Sequence, residues 1–157
     1  MLMKKILLLL IYFSFYQFLF SENKNPIEIT ADAMEWDKEQ GKAIAIGNAK
    51  AIRGDAVITA KKITAILDST SNSQKISKLY AIGDVKFYKD DEEASGKEAT
   101  YDIKEDKVII KGNVVLQRQT NIMLGEKLII DFKTGLSKLS GLNSKDKVKM
   151  KYNSNVQ

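Results

Sequence analysis

Three stretches decide the fold: Ala45-Ile46-Gly47-Asn48-Ala49, Ala81-Ile82-Gly83-Asp84-Val85 and Ile110-Lys111-Gly112-Asn113-Val114. In each, a glycine sits in the middle of an apolar run and Asn or Asp follows it. A mid-strand glycine marks a bulge, a tight bend or the close approach of another backbone. Repeated at equivalent places, it predicts one repeated bend. A fainter fourth copy centres on Gly141.

Upstream of each glycine lies a second block, opening at Ala31-Asp32, Ala60-Lys61, Gly96-Lys97 and Gly125-Glu126. The block starts are 29, 36 and 29 residues apart, and every glycine precedes the next block by 13 residues. From block to glycine the spacing is 16 residues, except for 23 in unit two, where Asp68 to Gln74 reads as a polar insertion. Spacing held this closely indicates four stacked copies of a β unit about 29 residues long.

From Ile27 onward the hydrophobic period is close to 2, and no segment sustains the 3.6 period of an amphipathic helix. The chain beyond the N-terminal segment is therefore expected to be all-β. Turn signals fall at Asp37-Lys38-Glu39-Gln40-Gly41, around Asp102 to Asp106 and around Asp131 to Gly135, which predicts antiparallel hairpins. One face collects Ala43, Ala45, Ala49 and Ala51, then Leu79, Ala81, Val85 and Phe87, then Val108, Ile110, Val114 and Leu116. That face is expected to look inward. The other carries Asn48, Lys50, Asp84, Lys86, Asn113 and Gln117, interrupted by Ile44, Ile46, Tyr80 and Val115. Repeated bends would curl two facing sheets over each other, as in a jelly roll or a sandwich.

Composition excludes more than it suggests. The 157 residues are 44% apolar and hold 25 Lys+Arg, 20 Asp+Glu, one Pro, and neither His nor Cys. Without those two residues there is no Ser-His-Asp or Cys-His nucleophile, zinc finger, His-ligated zinc, thiol redox pair or disulfide framework. No catalytic residue, metal site or cofactor is assigned.

The first 21 residues stand apart: Lys4 and Lys5, an apolar run from Ile6 to Phe20, then Ser21-Glu22. They read as an export signal cleaved after Ser21, leaving 22–157 as the mature domain. The rival reading is an uncleaved anchor, although a run of fifteen residues, weakened by Ser14 and Gln17, falls short of the roughly 20 that a membrane-crossing helix needs. Export fits a cysteine-free chain in an oxidising compartment. Removing Lys4 and Lys5 lowers the net charge from +5 to about +3. With Arg53 and Arg118 as the only arginines, nucleic acid is not an expected partner.

The order and spacing of these pieces resemble the LptA family, the OstA-like periplasmic lipopolysaccharide-transport bridge proteins. The residues that carry the resemblance are Pro26-Ile27-Glu28-Ile29-Thr30-Ala31-Asp32, Gly47-Asn48-Ala49, Arg53-Gly54-Asp55 and Thr59-Ala60-Lys61. They continue with Lys111-Gly112-Asn113-Val114 and Leu124-Gly125-Glu126-Lys127-Leu128. The resemblance implies an antiparallel β-jelly roll, open at its edge strands, whose hydrophobic interior shields lipid A acyl chains. It also implies head-to-tail self-stacking between an inner-membrane LptC-like and an outer-membrane LptD-like partner. The expected groove residues are Ile27, Ile29, Phe87, Tyr101, Ile110, Val114 and Leu116. Unit four departs from the pattern with Leu142-Asn143, and unit one is alanine-rich inside. An LptC-like anchored component is the alternative within the same fold, and a structural envelope β-repeat protein the alternative outside the pathway.

Four further features have bland readings beside sharp ones. Lys145, Lys147, Lys149 and Lys151 alternate along an expected terminal strand, either protecting an edge or, at Lys147 and Lys149, meeting lipid headgroup phosphates or an acidic partner edge. Arg53-Gly54-Asp55 is read as a turn. Asp90-Asp91-Glu92-Glu93 is read as a solvated turn rather than a cation or carboxylate-pair site. Trp36 is expected to be a packed aromatic at a hairpin end, in the place that Tyr101 holds in unit three.

Overall fold

The computed structural model describes residues 25–68, 75–143 and 145–152. The export segment and residues 69–74 of the expected insertion lie outside them. Ten strands are present: β1 Ile27–Thr30, β2 Ala33–Asp37, β3 Lys42–Arg53, β4 Ala56–Asp68 and β5 Lys75–Lys89, followed by β6 Glu92–Asp102, β7 Lys107–Arg118, β8 Asn121–Asp131, β9 Leu136–Ser140 and β10 Lys149–Lys151. All pairings are antiparallel, and β3 to β8 form a simple meander. β1 and β2 lie end to end along the free edge of β3, and β9 and β10 along the free edge of β8. Among the described residues no pairing joins the first position to the last, so the sheet is not closed.

The hairpins form where the sequence signals them, each through an aspartate that accepts a backbone N–H at the turn. Asp37 Oδ1 accepts from Gln40 N at 2.9 Å, Asp102 Oδ1 from Glu105 N at 3.0 Å, and Asp131 Oδ1 from Thr134 N at 3.1 Å. These side chains mimic a backbone turn and satisfy the N–H groups that leave the ladder. The Arg53-Gly54-Asp55 stretch is the β3–β4 turn, as read from sequence.

The predicted bend appears as a row of register slips at one level of the sheet. They fall between Ile46 and Ala49, Thr59 and Lys62, Ile82 and Val85, Ser95 and Glu98, and Lys111 and Val114. At three of them two successive residues adopt left-handed backbone: Gly47 with Asn48, Gly83 with Asp84, and Gly112 (φ 84°) with Asn113 (φ 51°). Glycine takes that conformation freely, and Asn and Asp tolerate it best among the rest, so the residue after each glycine is chosen for its backbone as much as for solvent. The block residues pack over these bulges. Asn48 Nδ2 donates to Asp32 Oδ2 at 2.8 Å, and Lys61 pairs with Asp84 at 2.7 Å. The stem of Lys97 lies where a side chain on Gly112 would go.

The fourth copy differs. At Gly141 β9 ends, and the chain makes a turn in which Asp146 Oδ2 accepts Asn143 N at 3.3 Å before β10 begins. Leu142 stands where the other units place Asn or Asp, and a branched apolar side chain disfavours the left-handed pair. One consequence corrects the expected terminal lysine strand: only Lys149 and Lys151 lie on β10, while Lys145 and Lys147 belong to the preceding turn and its exit.

The expected facing sheets are thus one sheet folded along the bulge row. One layer holds 27–30, 49–60, 85–96, 114–125 and 149–151; the other holds 33–46, 62–68, 75–82, 98–111 and 127–140. The layers touch at the mouth opposite the fold. Arg53 Nη1 reaches Asp106 Oδ1 at 2.7 Å, the Phe87 and Phe132 rings stack at 5.9 Å, and Ser137 Oγ meets Glu92 Oε2 at 3.4 Å. Each contact joins strands about three positions apart in the sheet order, as the twist of stacked sheet halves requires. The offset leaves the inner faces of the two end strands without a layer opposite.

Candidate functional site

The space between the layers is the candidate site. Every buried hydrophobic residue belongs to one cluster, and among the described residues none of the buried ones is charged or carries an amide or carboxyl group. The wall changes along its length. Ala45, Ala49, Ala51, Ala56, Ala60 and Ala65 line it near the N-terminal edge, and Leu79, Phe87, Ile110, Leu116 and Leu128 fill it further on. The inward face expected from the alternation is the inward face observed.

Of the expected groove residues, Phe87, Tyr101, Ile110, Val114 and Leu116 are all buried in this cluster. Ile27 and Ile29 on β1 are half-buried and pack against its rim. The seven share one surface, running from the N-terminal edge strand to the middle of the sheet. Sequence reading missed Phe132. It follows the Asp131 turn, stacks on Phe87 and meets the Tyr101 ring edge-on at 6.0 Å, and Lys89 Nζ sits 5.3 Å from its centroid. Its signal was the alternation of Leu128, Ile130 and Phe132 across a turn boundary.

Two polar groups close the mouth. Arg53 donates to both the Tyr101 hydroxyl and Asp106, and Tyr101 OH donates to Asp106 Oδ1 at 2.8 Å. Burial pushes the Tyr101 hydroxyl up to about 12, with the Arg53 bond opposing that shift. Burial alone would lower the Arg53 pKa, but its bonds to Tyr101 and Asp106 outweigh it and leave it raised. The arginine set aside in the sequence as part of a turn is therefore a tie between layers. Lys89, bound to Asp55 Oδ2 at 2.6 Å, and the Arg118–Glu92 pair stand beside a cleft of about 450 Å³ at the same mouth. Asp90 and Asp91 form the turn that lines it, and Glu92 and Glu93 begin β6.

At the open ends apolar side chains reach solvent from the inner face. Trp36 is 59% exposed and Met34 57%, both in rows that run inward to buried residues. This corrects the expected packed Trp36: β2 is an end strand, so nothing lies across from it, whereas Tyr101 in mid-sheet is covered. At the other end Met150 is 60% exposed, beside Met123. Lys147 and Lys149 are exposed at a cleft of about 680 Å³ between the Gly141 turn and the bulge at Asn113.

Residues 28–136 match the model of the family described as LptA/(LptD N-terminal domain) LPS transport protein. A Rhizobium meliloti (strain 1021) protein described as uncharacterized, R00383, is 24% identical over 134 residues, covering 82% of this chain and 72% of its own length. Among solved structures, the chain resembles LptH of Pseudomonas aeruginosa, the LptA-homologous periplasmic component of the lipopolysaccharide transport device. The TM-score is 0.71 at 18% identity, covering 82% of this chain and 96% of LptH.

Proposed function

This chain belongs to the LptA/(LptD N-terminal domain) LPS transport protein family, and on that premise we propose that it is a non-enzymatic periplasmic bridge for lipopolysaccharide. Lipid A acyl chains lie between its layers, against Ile27, Ile29, Phe87, Tyr101, Ile110, Val114 and Leu116. Copies stack head to tail between an LptC-like protein at the inner membrane and an LptD-like protein at the outer. Lys147 and Lys149 meet headgroup phosphates or the acidic edge of a partner. Residues 1–21 direct export, and 22–157 are the working domain.

The observation that carries this reading is an interior lined by apolar residues inside a folded but unclosed sheet, with apolar inner-face side chains exposed at both ends. A globular core has no use for such ends, because exposed strand edges and greasy faces invite aggregation. A conduit does use them. Each methylene withdrawn from water is worth about 0.8 kcal/mol, so a multi-chain lipid crosses an aqueous gap only where shelter is continuous.

Native mass spectrometry of residues 22–157 tests the proposal. Bound lipid A or lipopolysaccharide, with Phe132→Asp weakening its capture, is the expected result. A lipid-free protein that also refuses added lipid A overturns it.

A further inference from the structure

We propose that the joint between stacked copies is ionic as well as β-type: an acidic N-terminal edge receives the basic C-terminal edge of the next copy, with Glu28 opposite Lys151 and Glu35 opposite Lys138. The inference rests on the stacked reading above and identifies what gives the stack its direction.

The sheet has eight strand positions, an even number, and each is antiparallel to its neighbours. The last position therefore runs opposite to the first position of a following copy. Antiparallel pairing continues unbroken across the joint, with β10 beside β1 and β9 beside β2.

The rows of the sheet then determine which side chains meet. One outward row runs Glu28, Ile52, Val57, Tyr88, Glu93, Gln117, Ile122, Lys151. In the other layer an outward row begins at Glu35 and, through Ile44, Thr64, Tyr80, Thr100, Ile109 and Ile129, ends at Lys138. Each row starts with an acid and finishes with a base. The adjacent inward rows start at Ile29 and Met34 and finish at Met150 and Leu139. A copy that continues the rows thus finds opposite charge outside and apolar side chains inside, in both layers. Directly opposed charges on neighbouring strands attract, and like charges repel.

The wider edges agree. The first holds Glu28, Asp32, Glu35, Asp37 and Glu39 against Lys38; the last holds Lys138, Lys145, Lys147, Lys149 and Lys151 against Asp146. Ion pairs among the described residues lie elsewhere, between β3 to β8 and their turns, as in Lys78–Asp102, Lys107–Asp131 and Lys111–Glu98. Glu28, Glu35, Lys138 and Lys151 have no ion-pair partner among the described residues. Two like edges facing each other would set acid against acid or base against base, so the charges exclude head-to-head joints as well as favouring head-to-tail ones.

The test is a charge swap read by sedimentation velocity on residues 22–157, with circular dichroism confirming the fold. One variant carries Lys138→Glu and Lys151→Glu, placing an acid at both ends of the two outward rows; the other carries Glu28→Lys and Glu35→Lys, placing a base at both ends. Wild type is expected to stack about tenfold more weakly at high salt than at low salt. Each variant alone should stay monomeric where wild type stacks, and their equimolar mixture should stack. If wild type stacks equally at both salts and each variant stacks by itself, the ionic joint is wrong while stacking survives. Folded monomeric variants whose mixture also fails to stack overturn it too. A wild type that is monomeric throughout, with or without lipid A, sinks the stacked reading itself.

Discussion

Gly112→Ala isolates what the bulge row costs and what holds it. The residue sits at φ 84°, and a methyl group there would lie 2.9–3.0 Å from Cδ, Cβ and Cγ of Lys97. Left-handed backbone costs an alanine roughly 1–2 kcal/mol. The lysine stem can swing, but its Cβ is tied to β6, so the neighbouring strand must give by a few tenths of an ångström, adding about 1 kcal/mol. Against this, alanine restricts the unfolded chain and returns about 0.4–1 kcal/mol. The net expectation is a loss of about 2 kcal/mol. Gly135→Ala is the control: its φ is 70°, yet nothing lies within 4 Å of the added methyl, so only the backbone cost applies. Urea denaturation of both variants should place Gly112→Ala about 1 kcal/mol below Gly135→Ala at unchanged m-value. Equal losses at the two sites would refute the claim that the block residues pack over the bulges.

Three further outcomes follow from the interior and its mouth. Phe87→Ala should cost about 3–5 kcal/mol by urea titration, because a fully buried ring stacked on Phe132 leaves a cavity that the flanking strands cannot close. A double-mutant cycle of Arg53→Met and Asp106→Asn should give a coupling of about 1 kcal/mol, since the two side chains are only partly exposed and share one hydrogen-bonded cluster; strict additivity would remove the tie between layers. In alkali the Tyr101 hydroxyl, about 12 when folded and 10 when unfolded, keeps its proton longer in the folded state. Its stabilising share is complete below pH 10 and drains away toward pH 12, roughly 1.4 kcal/mol of it by about pH 11. Tyr101→Phe should therefore lose less stability between about pH 9 and 11 than wild type does, measured by urea midpoints at each pH.

Most of the inner surface was legible in the sequence, because a strand alternates its side chains strictly and one partner decides nothing about which face a residue takes. The alternation of Leu79, Ala81, Val85 and Phe87 names the buried face without knowledge of what covers it. The row of bulges was legible for a related reason: left-handed backbone is a local demand, and Gly followed by Asn or Asp is its local answer. The same logic marks where legibility failed at the fourth unit. Gly141 is in step with its counterparts in the sequence, yet, followed by Leu142, it does not take the left-handed backbone of Gly47, Gly83 and Gly112, and the bend opens into a turn.

The features written into the chain locally are periodic ones: the strands, their aspartate-built turns, the inward face and the bend. The features that emerge on folding join residues far apart in the chain. The layers meet about three strands out of step, which buries Tyr101, leaves its counterpart Trp36 bare, and brings Arg53 to Asp106 across the mouth. The rows that lead from Glu28 to Lys151 and from Glu35 to Lys138 exist only once seven strand pairings have each taken a register. Such offsets are sums of small twists and slips over the whole sheet, and no single segment contains them.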